Sequence, residues 1–143
     1  MAVFKGDPKI VKYLLDKGGD PWIKGINEST VLHICAERNF TEIAKMIVNY
    51  DFEKNKKLIF CQTTKDHAEE KGGETPLHVA CEWNSTDLVE LFWEWGGAEL
   101  VNIKNAEGMD AIDYAYAENQ EECYSYLCYK MGRSARWIIC TIF

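Results

Sequence analysis

Hydrophobic positions along the 143-residue chain recur in a two-beat pattern. The first beat is a short apolar stretch opened by a threonine or an aspartate. It reads Thr30-Val31-Leu32-His33-Ile34-Cys35-Ala36, then Thr75-Pro76-Leu77-His78-Val79-Ala80-Cys81, then Asp110-Ala111-Ile112-Asp113-Tyr114-Ala115. The second beat sets apolar side chains at i, i+3 and i+4. These are Ile43, Met46 and Ile47, then Leu88, Leu91 and Phe92, then Cys123, Tyr126 and Leu127. Such spacing gathers on one face of an α-helix. Asn39, Asn84 and Asn119 stand between the two beats of their units. After glycine, asparagine best tolerates the left-handed conformation that closes a helix. Each unit therefore predicts two helices joined by a tight turn. The anchors Thr30, Thr75 and Asp110 lie 45 and 35 positions apart, a spacing that points to stacked repeats.

Thr75-Pro76-Leu77-His78-Val79-Ala80 is a complete instance of T-P-L-H-x-A, and Thr30-Val31-Leu32-His33 lacks only the proline of its T-P-L-H core. On these residues the chain resembles the ankyrin-repeat family, whose unit is about 33 residues long. Asp110-Ala111-Ile112-Asp113 is degenerate, although Val101-Asn102 and Gly108 fit the family's hairpin; drift of this kind is common in a terminal unit with solvent on one side. An earlier half-unit shows in Gly6, Ile10, Val11, Leu14, Leu15, Gly18, Gly19 and Asp20, so that the resemblance covers about residues 6–128. It implies an all-α solenoid of stacked helix-turn-helix units with hairpin loops, in one domain. The expected divisions are a partial repeat over about 1–26, full repeats over about 27–60, 73–105 and 106–130, and a tail over 131–143.

Two departures from the family pattern carry expectations of their own. The chain opens inside a repeat, which leaves the Ile10/Val11/Leu14 helix without its partner. An upstream region, another chain or the tail is expected to cover that apolar end. Residues 51–72 replace a short hairpin with a Lys/Glu-rich stretch around Leu58-Ile59-Phe60, read as an insertion loop. Long inserts in solenoids often sit on the binding side, but a tolerated surface loop fits the same residues.

The resemblance also bears on the candidate chemistry. His33 and His78 occupy the family's histidine position, which implies an imidazole bonded to backbone at the hairpin rather than a catalytic or metal-bound group. His67 lies in the insert with no partner in sequence. Cys123 and Cys128 are the nearest approach to a metal-binding pair, and no second pair accompanies them, so no metal and no cofactor is expected. Cys35 and Cys81 stand where the family places small alanines, and read as small buried hydrophobes. The glycine pairs at 18–19, 72–73 and 96–97 lack phosphate-loop spacing and read as turns. No catalytic site is expected.

What remains is a surface. In the family, the hairpin tips and the ends of the inner helices line a concave groove. The matching positions here are Ser29, Glu74 and Met109 on the hairpins, with Glu37, Arg38, Glu82, Trp83, Ala117 and Glu118 on the inner helices. Trp83 is the expected anchor, since interface hot spots favour tryptophan, tyrosine and arginine. Trp93, on the apolar side of a second helix, is expected in the core. The implied function is a non-catalytic protein-interaction module or adaptor. A runner-up within the binding class, similar to the small ankyrin inhibitors of protein kinases, rests on length and repeat count alone.

Composition narrows the partner. The chain carries 47% hydrophobic and 27% charged residues, ordinary values for a globular protein. A net charge of -7 argues against a nucleic-acid footprint and for a partner with basic character. The six cysteines follow no secretory signal segment, so a reduced intracellular protein is expected, cytoplasmic or nuclear. No apolar run approaches the roughly 18 residues of a membrane span. Cys140-Thr141-Ile142-Phe143 satisfies the C-a-a-X prenylation pattern, with Lys130, Arg133 and Arg136 upstream to suit an anionic membrane. A membrane-anchored adaptor lipidated at Cys140 is therefore the alternative, against a plain apolar tail over Trp137 to Phe143 folded onto the last repeat.

Overall fold

A computed structural model describes residues 5–64 and 71–134, and every regular element among them is helical. In chain order these are α1 (Pro8–Asp16), α2 (Val31–Arg38), α3 (Thr41–Tyr50), α4 (Phe52–Asn55), α5 (Pro76–Glu82), α6 (Thr86–Val101), α7 (Ala111–Ala117) and α8 (Glu121–Met131). Two 3-10 turns, Ile26–Glu28 and Lys56–Phe60, lie between them.

Local chemistry sets the boundaries. Thr75 caps α5 by accepting from the His78 amide, and Pro76 at the first helical position suits its fixed φ. At the far end, Asn39, Asn84 and Asn119 all adopt positive φ, between 53° and 58°. This is the left-handed turn that their placement between the two beats predicts. The chain then reverses into the second helix of the unit.

The helices form two layers. The inner layer is α2 against α5 and α5 against α7, side by side. The first helix of each unit can approach its neighbour because the facing residues are small: Cys35, Ala36, Ala80, Cys81 and Ala115 are fully buried. The outer layer pairs α1 with α3 and α6 with α8. Its apolar stripes, including Ile43 and Ile47, Leu88 and Phe92, and Cys123 and Leu127, close the core from behind. Trp93 packs at the edge of that core, partly buried. Polar side chains tie unit to unit. Ser85 Oγ donates to the Ala36 carbonyl at 2.6 Å, and Gln120 Nε2 to the Glu82 carbonyl at 2.8 Å.

The insertion corrects one expectation. Residues 51–72 are not a loop throughout, because α4 and the 3-10 turn occupy residues 52–60. Asp51 caps α4 through the Lys54 amide at 3.3 Å. Asn55 is buried, accepting from Trp22 Nε1 at 3.1 Å and donating to the Ile47 carbonyl at 2.8 Å. Lys56–Phe60 packs against α6, with Leu58 and Ile59 completely buried. The physical reason is the apolar triplet, which outweighs the charged flanks once a surface is there to receive it. Gly96 supplies part of that surface: a Cβ there would come within 2.9 Å of Ile59 Cδ1 and 2.7 Å of Leu100 Cβ. Next to it, Gly97 (φ 59°, ψ −151°) breaks α6 and turns Leu100 and Val101 back into the core. His67 and the rest of 65–70 lie outside the described residues, as do Cys140 and the tail from 135.

At the N-terminal end, Ile10, Tyr13, Leu14, Ile23 and Ile26 are exposed. Val11, Leu15, Ile34 and Ile47 line a cavity of about 330 Å³ beside them.

The buried insert gives a direct test. Leu58→Ala should destabilise the protein by about 2–5 kcal/mol in urea denaturation, as for a core leucine. A loop position would lose less than about 0.5 kcal/mol.

Candidate binding surface

Three hairpins precede the inner helices, and each closes on backbone hydrogen bonds. Gly25 N–H donates to Ser29 O at 2.7 Å, Thr63 N–H to Glu74 O at 3.0 Å, and Asn105 N–H to Met109 O at 2.9 Å. The hairpins are also joined sideways. Thr64 N–H donates to Asn27 O at 2.8 Å, and Ala106 N–H to Gly72 O at 2.9 Å. The second join requires glycine at position 73, where φ is +72° and a Cβ would stand 2.8 Å from the Ala106 nitrogen.

Two histidines lock this row of hairpins to the helices. His33 Nδ1 accepts from the Thr30 amide at 3.1 Å, and its Nε2–H donates to the Glu74 carbonyl at 2.9 Å. His78 repeats the arrangement one unit on, accepting from the Thr75 amide at 3.2 Å and donating to the Met109 carbonyl at 3.0 Å. A ring that accepts at Nδ1 and donates at Nε2 must be neutral. Burial enforces this, holding His33 down to about 4 from its ordinary 6.5 and lowering His78 for the same reason. Both rings therefore serve the backbone. In the third unit Asp113 replaces histidine. There Arg133 pairs with Asp110 at 2.9 Å and reaches Asn102 Oδ1 at 3.2 Å.

Glu74 and Met109, two of the expected surface positions, are the residues whose carbonyls the histidines hold. Of the nine expected positions, Glu37, Arg38, Trp83, Ala117 and Glu118 are exposed, and Ser29, Glu82 and Met109 partly so. Glu74 departs from expectation, being only 7% exposed. Its backbone turns inward at the hairpin base. There its Oε2 accepts from Thr63 Oγ1 at 2.9 Å, and Thr63 Oγ1 accepts in turn from the Glu74 amide at 3.2 Å.

Ser29, Glu37, Glu74, Glu82 and Trp83 line one cavity of about 360 Å³. Arg38, Met109, Ala117 and Glu118 do not. Trp83 stands at the cavity 56% exposed, and Lys71 Nζ sits 3.3 Å from Glu82 Oε1. Thr63, Lys71 and Tyr114 also line it and were not anticipated from the sequence. Tyr114 had a signal to offer, since it occupies the place of Val79 one unit on. Its ring packs edge-on to His78 with centroids 5.6 Å apart, and burial raises its phenol far above the ordinary range. Thr63 and Lys71 border the insert, where no repeat pattern assigns a side.

Among the described residues Cys35, Cys81, Cys123 and Cys128 are buried. Burial pushes Cys35 up to about 12, and Cys81 is raised chiefly by its bond to the Cys123 thiol. Among the described residues no three His, Cys, Asp or Glu side chains cluster to hold a metal ion, and no helix is long and apolar enough to cross a membrane.

A family profile for ankyrin repeats in three copies matches residues 1–66 and 54–135. The chain belongs to the ankyrin-repeat family. Ankyrin repeats in general mediate contacts between proteins and are generally non-catalytic. A curated relative is the human transient receptor potential cation channel subfamily A member 1, 24% identical over 122 residues. That match covers 85% of this chain, which spans about a tenth of the channel's length. The proposed lipidation at Cys140 lies outside the described residues.

Because both ankyrin histidines bind protons less readily folded than unfolded, the linkage has a definite sign. For His33 the folded value lies below the unfolded one, so its stabilisation is complete above about pH 6.5 and is lost as pH falls toward 4, and His78 acts in the same direction. His33 alone accounts for roughly 3 kcal/mol over that window. Melting temperature should therefore fall steadily between pH 7 and pH 4.5. A His33→Asn variant, less stable at pH 7, should show a shallower fall.

Proposed function

We propose that the face formed by the hairpin bases and by α2, α5 and α7 binds an extended segment of another protein, without catalysis. The observation that carries the reading is Trp83, exposed at the C-cap of the locked inner helix α5 beside a cavity that Glu37 and Glu82 also line. A large, rigid aromatic surface at such a place contributes contact area at little entropic cost on binding. The backbone behind it is already fixed by the His33 and His78 bridges, so docking need not order the hairpins. Membership of the ankyrin family supports the same role. The net charge of -7 and the carboxylates around Trp83 favour a partner segment of basic character.

The reading is testable without knowing the partner. Random peptides displayed on phage are selected against the full chain, and individual binders are then measured on the Trp83→Ala variant. Selected peptides should lose about 2 kcal/mol of affinity or more on that variant. Its stability should stay within about 0.5 kcal/mol, because the side chain is mostly solvent-exposed. Binders that all tolerate Trp83→Ala would contradict the assignment of this face.

A further inference from the structure

Two buried polar atoms at this cavity are left without hydrogen-bond partners by the fold itself. Glu74 is 7% exposed and Tyr114 1%, and both line the cavity. Glu74 Oε2 is satisfied by Thr63, but Glu74 Oε1 and Tyr114 Oη have no hydrogen-bond partner among the described residues. Buried polar atoms are nearly always paired, so two orphans at one cavity need an explanation. A donor supplied from outside would provide it.

The surroundings define that donor. Glu37 and Glu82 add carboxylates to the same cavity, and Trp83 presents an aromatic surface beside them. The protein already places a cation there: Lys71 Nζ stands 3.3 Å from Glu82 Oε1. A single ammonium at that oxygen leaves Glu74 Oε1 unmet. A group that satisfies both carboxylates and uses the aromatic face must be planar, cationic and rich in donors. A guanidinium has these properties, with five donors in a rigid fork and a flat face that stacks on aromatics. An ammonium has three donors and a compact, strongly hydrated charge. Contact with the covered Glu74 oxygen requires its carboxylate to turn, which its soft terminal torsion permits.

We infer that this cavity receives an arginine side chain from the partner segment, its guanidinium donating to Glu74 and Glu82 and stacking on Trp83. The inference rests on the reading of this face as a docking surface. It makes the buried Glu74 the residue that selects arginine.

The test uses the full ¹⁵N-labelled chain and three blocked amino acids: Nα-acetyl-arginine amide, Nα-acetyl-lysine amide and Nα-acetyl-citrulline amide. Citrulline keeps the shape and removes the charge. The Trp83 indole Nε1–H resonance, assigned with Trp83→Phe, is followed through each titration. The arginine probe should saturate in the low-millimolar range, about tenfold tighter than either of the others. Glu74→Gln should weaken it about fivefold at unchanged melting temperature, and Tyr114→Phe less. Lysine or citrulline within about threefold of arginine would overturn the inference, as would a folded Glu74→Gln that binds normally. Should Glu74→Gln not fold, the ranking of the three probes on the unsubstituted chain decides. The displayed peptides separate the two readings. If they need Trp83 but accept citrulline for every arginine, the docking surface stands and the arginine site fails. If none needs Trp83, both fail.

Discussion

The structure depends on one interaction made twice: a buried, neutral imidazole that accepts a backbone proton from its own helix cap and gives one to the next hairpin. His33 joins Thr30 to Glu74, and His78 joins Thr75 to Met109. Each ring satisfies an amide and a carbonyl at the seam between units, groups that would be costly to bury unpaired. It also fixes register, because the donor and acceptor sit on opposite sides of a rigid ring. A hairpin displaced along the stack would lose the bond. The left-handed asparagines and small inner residues let the helices approach, but the imidazoles set where each hairpin comes to rest.

That placement connects stability to the proposed docking face. The carbonyls held by the histidines belong to Glu74 and Met109, so the bonds that secure the stack also position residues at its open side. Glu74 shows the consequence most fully. Its carbonyl is bonded to His33 and to the Thr63 amide, its own amide to Thr63 Oγ1, and one carboxylate oxygen to the same hydroxyl. With the backbone so constrained, the remaining oxygen cannot find a partner by moving the chain. The third unit carries no histidine, and there Arg133 meets the Asp110 cap instead.

Much of the architecture was legible in the sequence because repetition multiplies weak signals. One Thr-Pro-Leu-His stretch is short, but three units with asparagine at the same turn leave few alternatives to a helical stack. The insert was not legible in the same way. Its charged residues outnumber its apolar ones, and no second copy exists to show which residues face inward. Only packing reveals that Leu58 and Ile59 enter the core against α6, and that Asn55 bridges Trp22 to Ile47. At the candidate site, position within the repeat located Trp83, Glu37 and Glu82 beside a common cavity. It did not foresee that Glu74 turns inward, because that depends on Thr63, which belongs to the far strand of an irregular hairpin. Tyr114 stands in a degenerate third unit, where the equivalent positions elsewhere are the smaller Ile34 and Val79.

The most direct test of the central claim is the tautomer and titration of the two imidazoles, read from ¹⁵N chemical shifts of the side-chain nitrogens. Both rings should be neutral with the proton on Nε2 at pH 7, and should remain so well below pH 6.5 for as long as the chain stays folded. Protons on Nδ1, or ordinary titration of the folded protein near pH 6.5, would contradict the account.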